Sequence, residues 1–382
     1  MYHLRFLLTV CCLLAIGIMA PQMLQAQSPF FTFSEGENAT TLQQKMTDAK
    51  VYGISYYIMN RESQDTSFQI GYRDLENQQP VKAQTRFQAG SMSAPLVHFA
   101  VLRAVDEGRI ELDAKVNDYL QQWQVNWTPL AMFRPLRVRD LLQQTHKFNL
   151  GSKPRGYVPG TEIPTFLQIL NGESPSQEKA VKRISGYNLR GYSSFANVLI
   201  LQLLLEETYQ QPLSTIIDQQ VLQPLGMTSS RFVAELADED KAASAVGYDK
   251  QGQRIEGDRW VYPEVAAVGL WTTPQDYARF VWYVMQAAKG KDNRYLSQEL
   301  ALAGITPNKQ NRALIFYAAP DLYWGGASMG FRTQFRASVA DEWVAVCFMN
   351  SHENWRFMAT ALYAAEQFAR AKASLDSISS NR

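Results

Sequence analysis

The sequence predicts an α/β (α+β) chain: an antiparallel sheet flanked by terminal helices, with an inserted all-α subdomain. Three observations carry this. Val51–Met59 alternates apolar and polar residues, turns at Asn60–Ser63 and returns through Thr66–Tyr72, which reads as a hairpin. Phe331–Val339 and Glu342–Met349 repeat the pattern around Ala340-Asp341, so both chain ends contribute to one sheet. Between them, residues 110–265 read as largely helical.

The N-terminal residues 1–26 join His3 and Arg5 to an apolar run from Phe6 to Met19, then Leu24-Gln25-Ala26. A basic start, a short apolar stretch and small residues before polarity rises make a secretory signal peptide rather than a spanning helix. The expectation is cleavage after Ala26, a domain over 27–373 and a flexible tail over 374–382, in a periplasmic or secreted protein with no integral membrane segment once cut. Cys11 and Cys12 leave with the leader, and Cys347 remains without a disulfide partner. Set in Val344-Ala345-Val346-Cys347-Phe348-Met349, it reads as a small apolar core residue.

The chain has 37 Lys and Arg against 36 Asp and Glu, and the leader takes away one Arg, so the remaining charges balance. That gives no electrostatic case for nucleic acid or an anionic membrane surface. Nor does the sequence call for a metal or a cofactor. A helix starting at Thr273-Pro274-Gln275-Asp276 has a capping hydroxyl, a proline in its first turn and an acid at its positive end, and stops at Lys289-Gly290. The closing helix runs from Asn354 to Ala373, with Trp355, Met358, Leu362, Ala365 and Ala369 spaced to face the sheet.

Ser91 is the first chemical candidate. Phe87-Gln88-Ala89-Gly90-Ser91-Met92-Ser93-Ala94 leads into a helix with the apolar face Leu96, Phe99, Ala100, Leu102 and Val105, ending at Glu107-Gly108. A serine there meets backbone N–H groups and a dipole that favour developing negative charge, although a plain cap would use the same residue.

The wider run, Gly90-Ser91-Met92-Ser93 followed by Ala100–Val116, resembles the nucleophile helix of β-lactamase-related serine hydrolases, which include class C β-lactamases and penicillin-binding proteins. Further segments resemble the family's in its order: Val138–Leu142, Gly191-Tyr192-Ser193-Ser194, Gln223–Ser230, Ala266–Asp276 and Trp324–Arg332, with Asn350 ending the last strand. The resemblance implies the serine β-lactamase/penicillin-binding-protein fold. It also implies a mechanism in which a serine attacks a carbonyl while a lysine one turn on and a tyrosine share its proton. A Lys or His on the edge strand assists, and two backbone N–H groups hold the oxyanion.

By that resemblance Ser91 holds the nucleophile position and Tyr192 the base position, and the oxyanion donors are the N–H groups of Ser91 and Ala327. The departures are Ala94 at the lysine, Trp324 at the edge-strand His/Lys and Ser194 at the asparagine. With Gly326, these line the implied binding cleft. Trp324 reads either as packing or as a stacking wall for a ligand. Trp123, Trp127, Trp260 and Trp271 read as structural.

An alkyl hydroxyl attacks poorly until a base takes its proton, and an unperturbed phenol titrates at about 10. Loss of general-base help costs about 10²–10⁴ in rate. His98 lies seven residues along the helix, about 10 Å from Ser91 by the rise per residue. His146 falls out of register and reads as a loop histidine. The missing base favours a weakly active or non-catalytic homologue whose cleft binds a partner or a cell-wall-peptide-like ligand, a small peptide or ester of peptidoglycan-derived chemistry. The other reading is an active esterase or D-amino-acid peptidase using Ser91 and Tyr192.

Overall fold

The computed structural model describes residues 42–61, 65–125, 135–151, 154–184, 195–352, 355–363 and 365–367. The chain divides into two compact units, 1–42 and 43–382, and all described residues but Leu42 belong to the second. The leader, Trp127, Tyr192, Ser194 and the tail beyond residue 373 therefore lie outside the described residues.

The described strands are β1 (Gly53–Asn60), β2 (Thr66–Asp74), β3 (Gln79–Pro80), β4 (Phe87–Gln88), β5 (Arg231–Phe232), β6 (Leu270–Thr272), β7 (Tyr317–Ala318), β8 (Leu322–Ser328), β9 (Phe331–Ser338) and β10 (Trp343–Met349). Seven of them form one antiparallel sheet in the order β3-β2-β1-β10-β9-β8-β7. The chain's two ends meet at its centre, where β1 pairs with β10 from Ile54 opposite Met349 to Asn60 opposite Trp343. Every residue of β10 is buried, as a strand covered on both faces requires. Asn350 then ties three strands together: its side chain accepts from Gly53 N at 2.7 Å and donates to Tyr72 O at 3.1 Å.

Cys347 is fully buried in β10, and burial pushes its thiol well above the ordinary range, which suits a core residue rather than a nucleophile. A three-stranded sheet, β4-β6-β5, joins a strand just before the nucleophile turn to one just after the inserted region and one within it.

Five helices matter for the site: α1 (Ala94–Asp106), α2 (Ala196–Tyr209), α3 (Val265–Val268), α4 (Pro274–Ala288) and α5, helical over 355–363 and 365–367. Helix α4 has the ends its sequence announces: the Thr273 side chain caps Asp276 N, proline opens the first turn, and Gly290 follows with φ +71°. It packs across β1 and β10. The region read as an all-α insert carries α2 and several shorter helices, among them Val138–Leu142, Phe166–Asn171 and Leu213–Ile217, and also the two-residue strand β5. Pro212, Pro224 and Gly226 punctuate its apolar runs and keep most of its helices to one or two turns.

Among the described residues the closing helix departs from its expected face at one position, Ala369 lying outside them. Met358, Leu362 and Ala365 are buried, but Trp355 is 62% exposed, and Phe357 is buried in the same turn. Across the interface, Arg336 on β9 donates to Glu366 at 2.8 Å.

Candidate active site

Ser91 sits in a 3-10 turn, Gly90–Ser93, that runs straight into α1. The turn is held from several sides by bonds that leave the Ser91 hydroxyl out. Ser93 Oγ donates to Gly90 O at 2.8 Å and accepts from Leu270 N at 3.0 Å, and Tyr277 OH donates to Met92 O at 3.3 Å.

Strand β8 is clasped onto the same turn. Trp324 Nε1 donates to Ser91 O at 2.8 Å, and Thr333 Oγ1 on the neighbouring strand donates to Ala89 O at 2.7 Å. The two backbones approach so closely that only glycine fits. A Cβ on Gly326 would lie 2.0 Å from Ala89 O, and one on Gly90, whose φ is +57°, would lie 2.5 Å from Ala327 N. The sequence-assigned oxyanion pair, Ser91 and Ala327, is thereby brought together at one mouth. No side chain is needed to do it.

Beside this mouth opens a cleft of about 660 Å³ lined by Ser91, Ala94, Trp324, Gly326 and Ala327, by Arg332 and Met358, which the sequence reading named only in a motif and on a helix face, and by Gln144 and Tyr317, which it did not single out. Five of the seven sequence-assigned site residues thus share one cleft. The other two, Tyr192 and Ser194, lie outside the described residues.

Ala94 puts a methyl group where the resemblance calls for an ammonium, and it is 5% exposed. Trp324 is 6% exposed and packs hard: its ring stacks on Tyr317 at 4.4 Å and 11°, and His98 meets its edge at 5.9 Å. Its role as packing is therefore plain, and its indole N–H is spent on Ser91's carbonyl.

His98 is fully buried behind Trp324, and burial pulls its pKa down to about 4; the Ile315 and Leu314 carbonyls favour the protonated ring without making a hydrogen bond of normal geometry. It does not line the cleft. His146 Nδ1 lies 3.3 Å from Thr145 Oγ1 and 3.9 Å from Asp140, also away from the cleft.

Among the described residues lining the cleft, the titratable ones are Tyr317 and Arg332. Tyr317 OH donates to Gln144 Oε1 at 3.3 Å under the guanidinium of Arg312, and Arg332 Nε donates to the His352 carbonyl. An arginine cannot accept a proton at working pH. Tyr317 and Arg312 could not have been assigned from the sequence, because residues 306–320 match no motif and Tyr317 is set beside the cleft by the pairing of β7 with β8; Gln144 lies just past the Val138–Leu142 segment, with nothing in its residue type to mark it.

A serine on a turn that leads into a helix, with the backbone of β8 brought against that turn at Ala327, has the geometry from which oxyanion sites are built. The chain belongs to the Beta-lactamase family, whose pattern matches residues 38–369. It is similar to Protein Rv1367c of Mycobacterium tuberculosis, 25% identical over 324 residues covering 77% of each chain. It is also similar to Esterase EstB of Burkholderia gladioli, 29% identical over 171 residues, 43% of each. The fold is shared with FmtA from Staphylococcus aureus (TM-score 0.62, 18% identity, 85% of this chain and 88% of that one). A class C beta-lactamase superposes equally well (TM-score 0.62, 16% identity, 85% and 92%).

Proposed function

We propose that this chain is an exported member of the family that binds a cell-wall-peptide-like or small ester ligand in its cleft and turns it over weakly or not at all. The observation that carries the reading is the pairing of an intact backbone mouth at Ser91 and Ala327 with a methyl group, Ala94, in place of the proton-handling ammonium. An acceptor for the hydroxyl proton is what separates an acyl-transfer enzyme from a binding cleft of the same shape. Trp324 adds to this, since its N–H holds a backbone carbonyl and its ring carries no exchangeable base.

The direct test is incubation with a fluorophosphonate followed by intact-mass and peptide analysis. We expect no adduct on Ser91 under conditions that label an active serine hydrolase fully. Stoichiometric labelling of Ser91 would support the other reading, an active esterase or D-amino-acid peptidase using Tyr192. The export part of the proposal rests on the leader-like residues 1–26, and N-terminal sequencing of material outside the cytoplasm should read Gln27 first. Retention of Met1 there would refute it.

A further inference from the structure

A second cavity, of about 190 Å³, shares no lining residue with the Ser91 cleft; Trp260, Trp271, Leu236 and Pro159 form part of its wall. Trp260 and Trp271 read as structural in the sequence. In the fold, the indole N–H of each is buried without a hydrogen-bond partner among the described residues, and Trp271 as a whole is 1% exposed. Gln88 lies opposite Trp271 in the pairing of β4 with β6 and donates Nε2 to Trp260 O at 3.2 Å, while its Oε1 is also unpartnered. Residues directly opposite one another in a sheet share a face, so two unmet donors and one unmet acceptor gather on one side of this small sheet. Buried polar atoms are costly to leave unbonded, and a cavity beside several of them marks a place where another molecule supplies the bonds.

The charges around the cavity are already matched. Lys241 Nζ lies 3.3 Å from Glu235 and 2.9 Å from Asp238. Arg259 lies 3.9 Å from Asp258 and gives further N–H groups to the carbonyls of Lys241, Ser244 and Ala245. An ionic ligand would find no unpaired opposite charge here and would still lose its hydration. What remains unmet is neutral: indole N–H groups that need an accepting oxygen, and an amide oxygen that needs a donor. A hydroxyl does both. The indoles, with Leu236 and Pro159, also give the cavity apolar walls that suit the C–H faces of a saturated ring. About 10–15 Å³ already holds one water, so this cavity has room for a ring-sized molecule.

We propose that this cavity is a second binding site, taking an uncharged polyhydroxylated ring of monosaccharide size held by the N–H groups of Trp260 and Trp271. It stands whether or not Ser91 performs chemistry.

The experiment titrates isotope-labelled protein with methyl glucopyranoside and follows the indole N–H resonances by NMR, assigned through Trp260→Phe and Trp271→Phe. The resonances of Trp260 and Trp271 should move, and that of Trp324, bonded to Ser91 O in the cleft, should stay. Tetrahydropyran, the bare ring without hydroxyls, should leave all three in place. Trp260→Phe keeps an aromatic wall and removes one donor, so it should weaken glucoside binding about fivefold, the share of one hydrogen bond. Trp260 is only partly buried, which makes this variant the safer of the two for folding, and circular dichroism checks it. Unmoved indole resonances at the highest soluble glucoside concentration would show a cavity that holds water alone and would overturn the site. Equal shifts with tetrahydropyran, or unchanged affinity in folded Trp260→Phe, would overturn the hydroxyl recognition. A shift confined to Trp324 would put the sugar in the cleft instead and refute the proposal.

Discussion

The two sides of Ser91 differ in the material they are built from. On the oxyanion side the parts are backbone: the N–H groups of Ser91 and Ala327, set by glycines at 90 and 326 whose missing side chains let the two chains touch. On the proton side the parts are side chains, and those positions hold Ala94 and Trp324. A backbone function survives almost any substitution that preserves the fold, because every residue except proline supplies an N–H. A side-chain function is lost in one step. A family member can therefore keep the shape of the site while losing its chemistry.

The largest effect should come from breaking the backbone side. A Cβ on Gly326 would sit 2.0 Å from Ala89 O and 2.4 Å from Thr333 Oγ1, contacts that real structures do not tolerate. Gly326→Ala should cost about 3 kcal/mol, at the upper end for overpacking, and should do so by prising β8 from the nucleophile turn. Chemical denaturation measures it. Gly325→Ala is the internal control, because a Cβ there meets nothing closer than Thr333 O at 3.7 Å. If the two variants were equally stable, close approach would not be what joins Ser91 to Ala327.

Two buried groups near the site sharpen the contrast through pH. Glu264 precedes α3, which packs on the nucleophile turn; it is fully buried, and neither carboxyl oxygen has a hydrogen-bond partner among the described residues. Burial raises its pKa from 4.5 to about 7, its own N–H opposing this and Glu178 adding to it. The folded state thus binds the proton more tightly than the unfolded chain, so Glu264's contribution is intact below 4.5 and is lost as pH rises through 7.

His98 works the other way, its pKa falling from 6.5 to about 4, so that stability is intact above 6.5 and is lost as pH falls through 4. Each shift corresponds to about 3 kcal/mol at most. Between pH 4.5 and 6.5 the two slopes oppose, and wild type should be flatter than either variant. Glu264→Gln should become more stable as pH rises across that window, and His98→Gln less stable. Urea midpoints measured at several pH values decide it, and two variants with wild-type slopes would show both shifts to be absent.

The sheet was legible because hydrophobic alternation is local: β1, β2, β9 and β10 appear within one or two residues of where the pattern puts them. The α4 helix was legible for the same reason, since its cap, proline and terminal glycine all lie in the sequence beside it. Ser91, Ala94, Trp324, Gly326 and Ala327 could be placed because they stand in ordered motifs, and the structure gathers all five. The rest of the cleft was not legible. Tyr317 enters through a two-residue strand with no periodicity to detect, and Gln144 meets both it and Arg312 across more than 160 residues of chain. Trp355 fits the sheet-facing stripe by spacing alone, but it stands in the first turn, where Phe357 and Met358 already fill the buried positions. Periodicity says which side of a helix is apolar and cannot say that one apolar residue on it faces a cavity.

The smallest expected effect is also the most informative, because it tries to restore the lost side of the comparison. Ala94→Lys with Trp324→His should raise hydrolysis of small activated esters by about 10²-fold, the lower range for returned general-base help. Ala94 lines the cleft, so a lysine there has a cavity to extend into rather than a packed wall. Trp324→His removes the ring that stacks on Tyr317 and opens space beside Ser91, but it also gives up the 2.8 Å bond to the Ser91 carbonyl, worth about 1 kcal/mol. The histidine variant alone should therefore be less stable and no more active, since the nucleophile turn loses its clasp and still lacks a cation. The lysine alone should gain little while the indole fills the edge-strand position. Together they should exceed the product of the single changes, as members of one catalytic unit do. Adding Ser91→Ala must erase the gain, which separates acyl transfer at the serine from hydrolysis by the new imidazole. Denaturation midpoints read alongside the rates keep a folding defect from passing as a chemical one. A folded double variant no faster than the parent would mean that the backbone mouth has drifted as well, and the division between a kept side and a lost side of Ser91 would not hold.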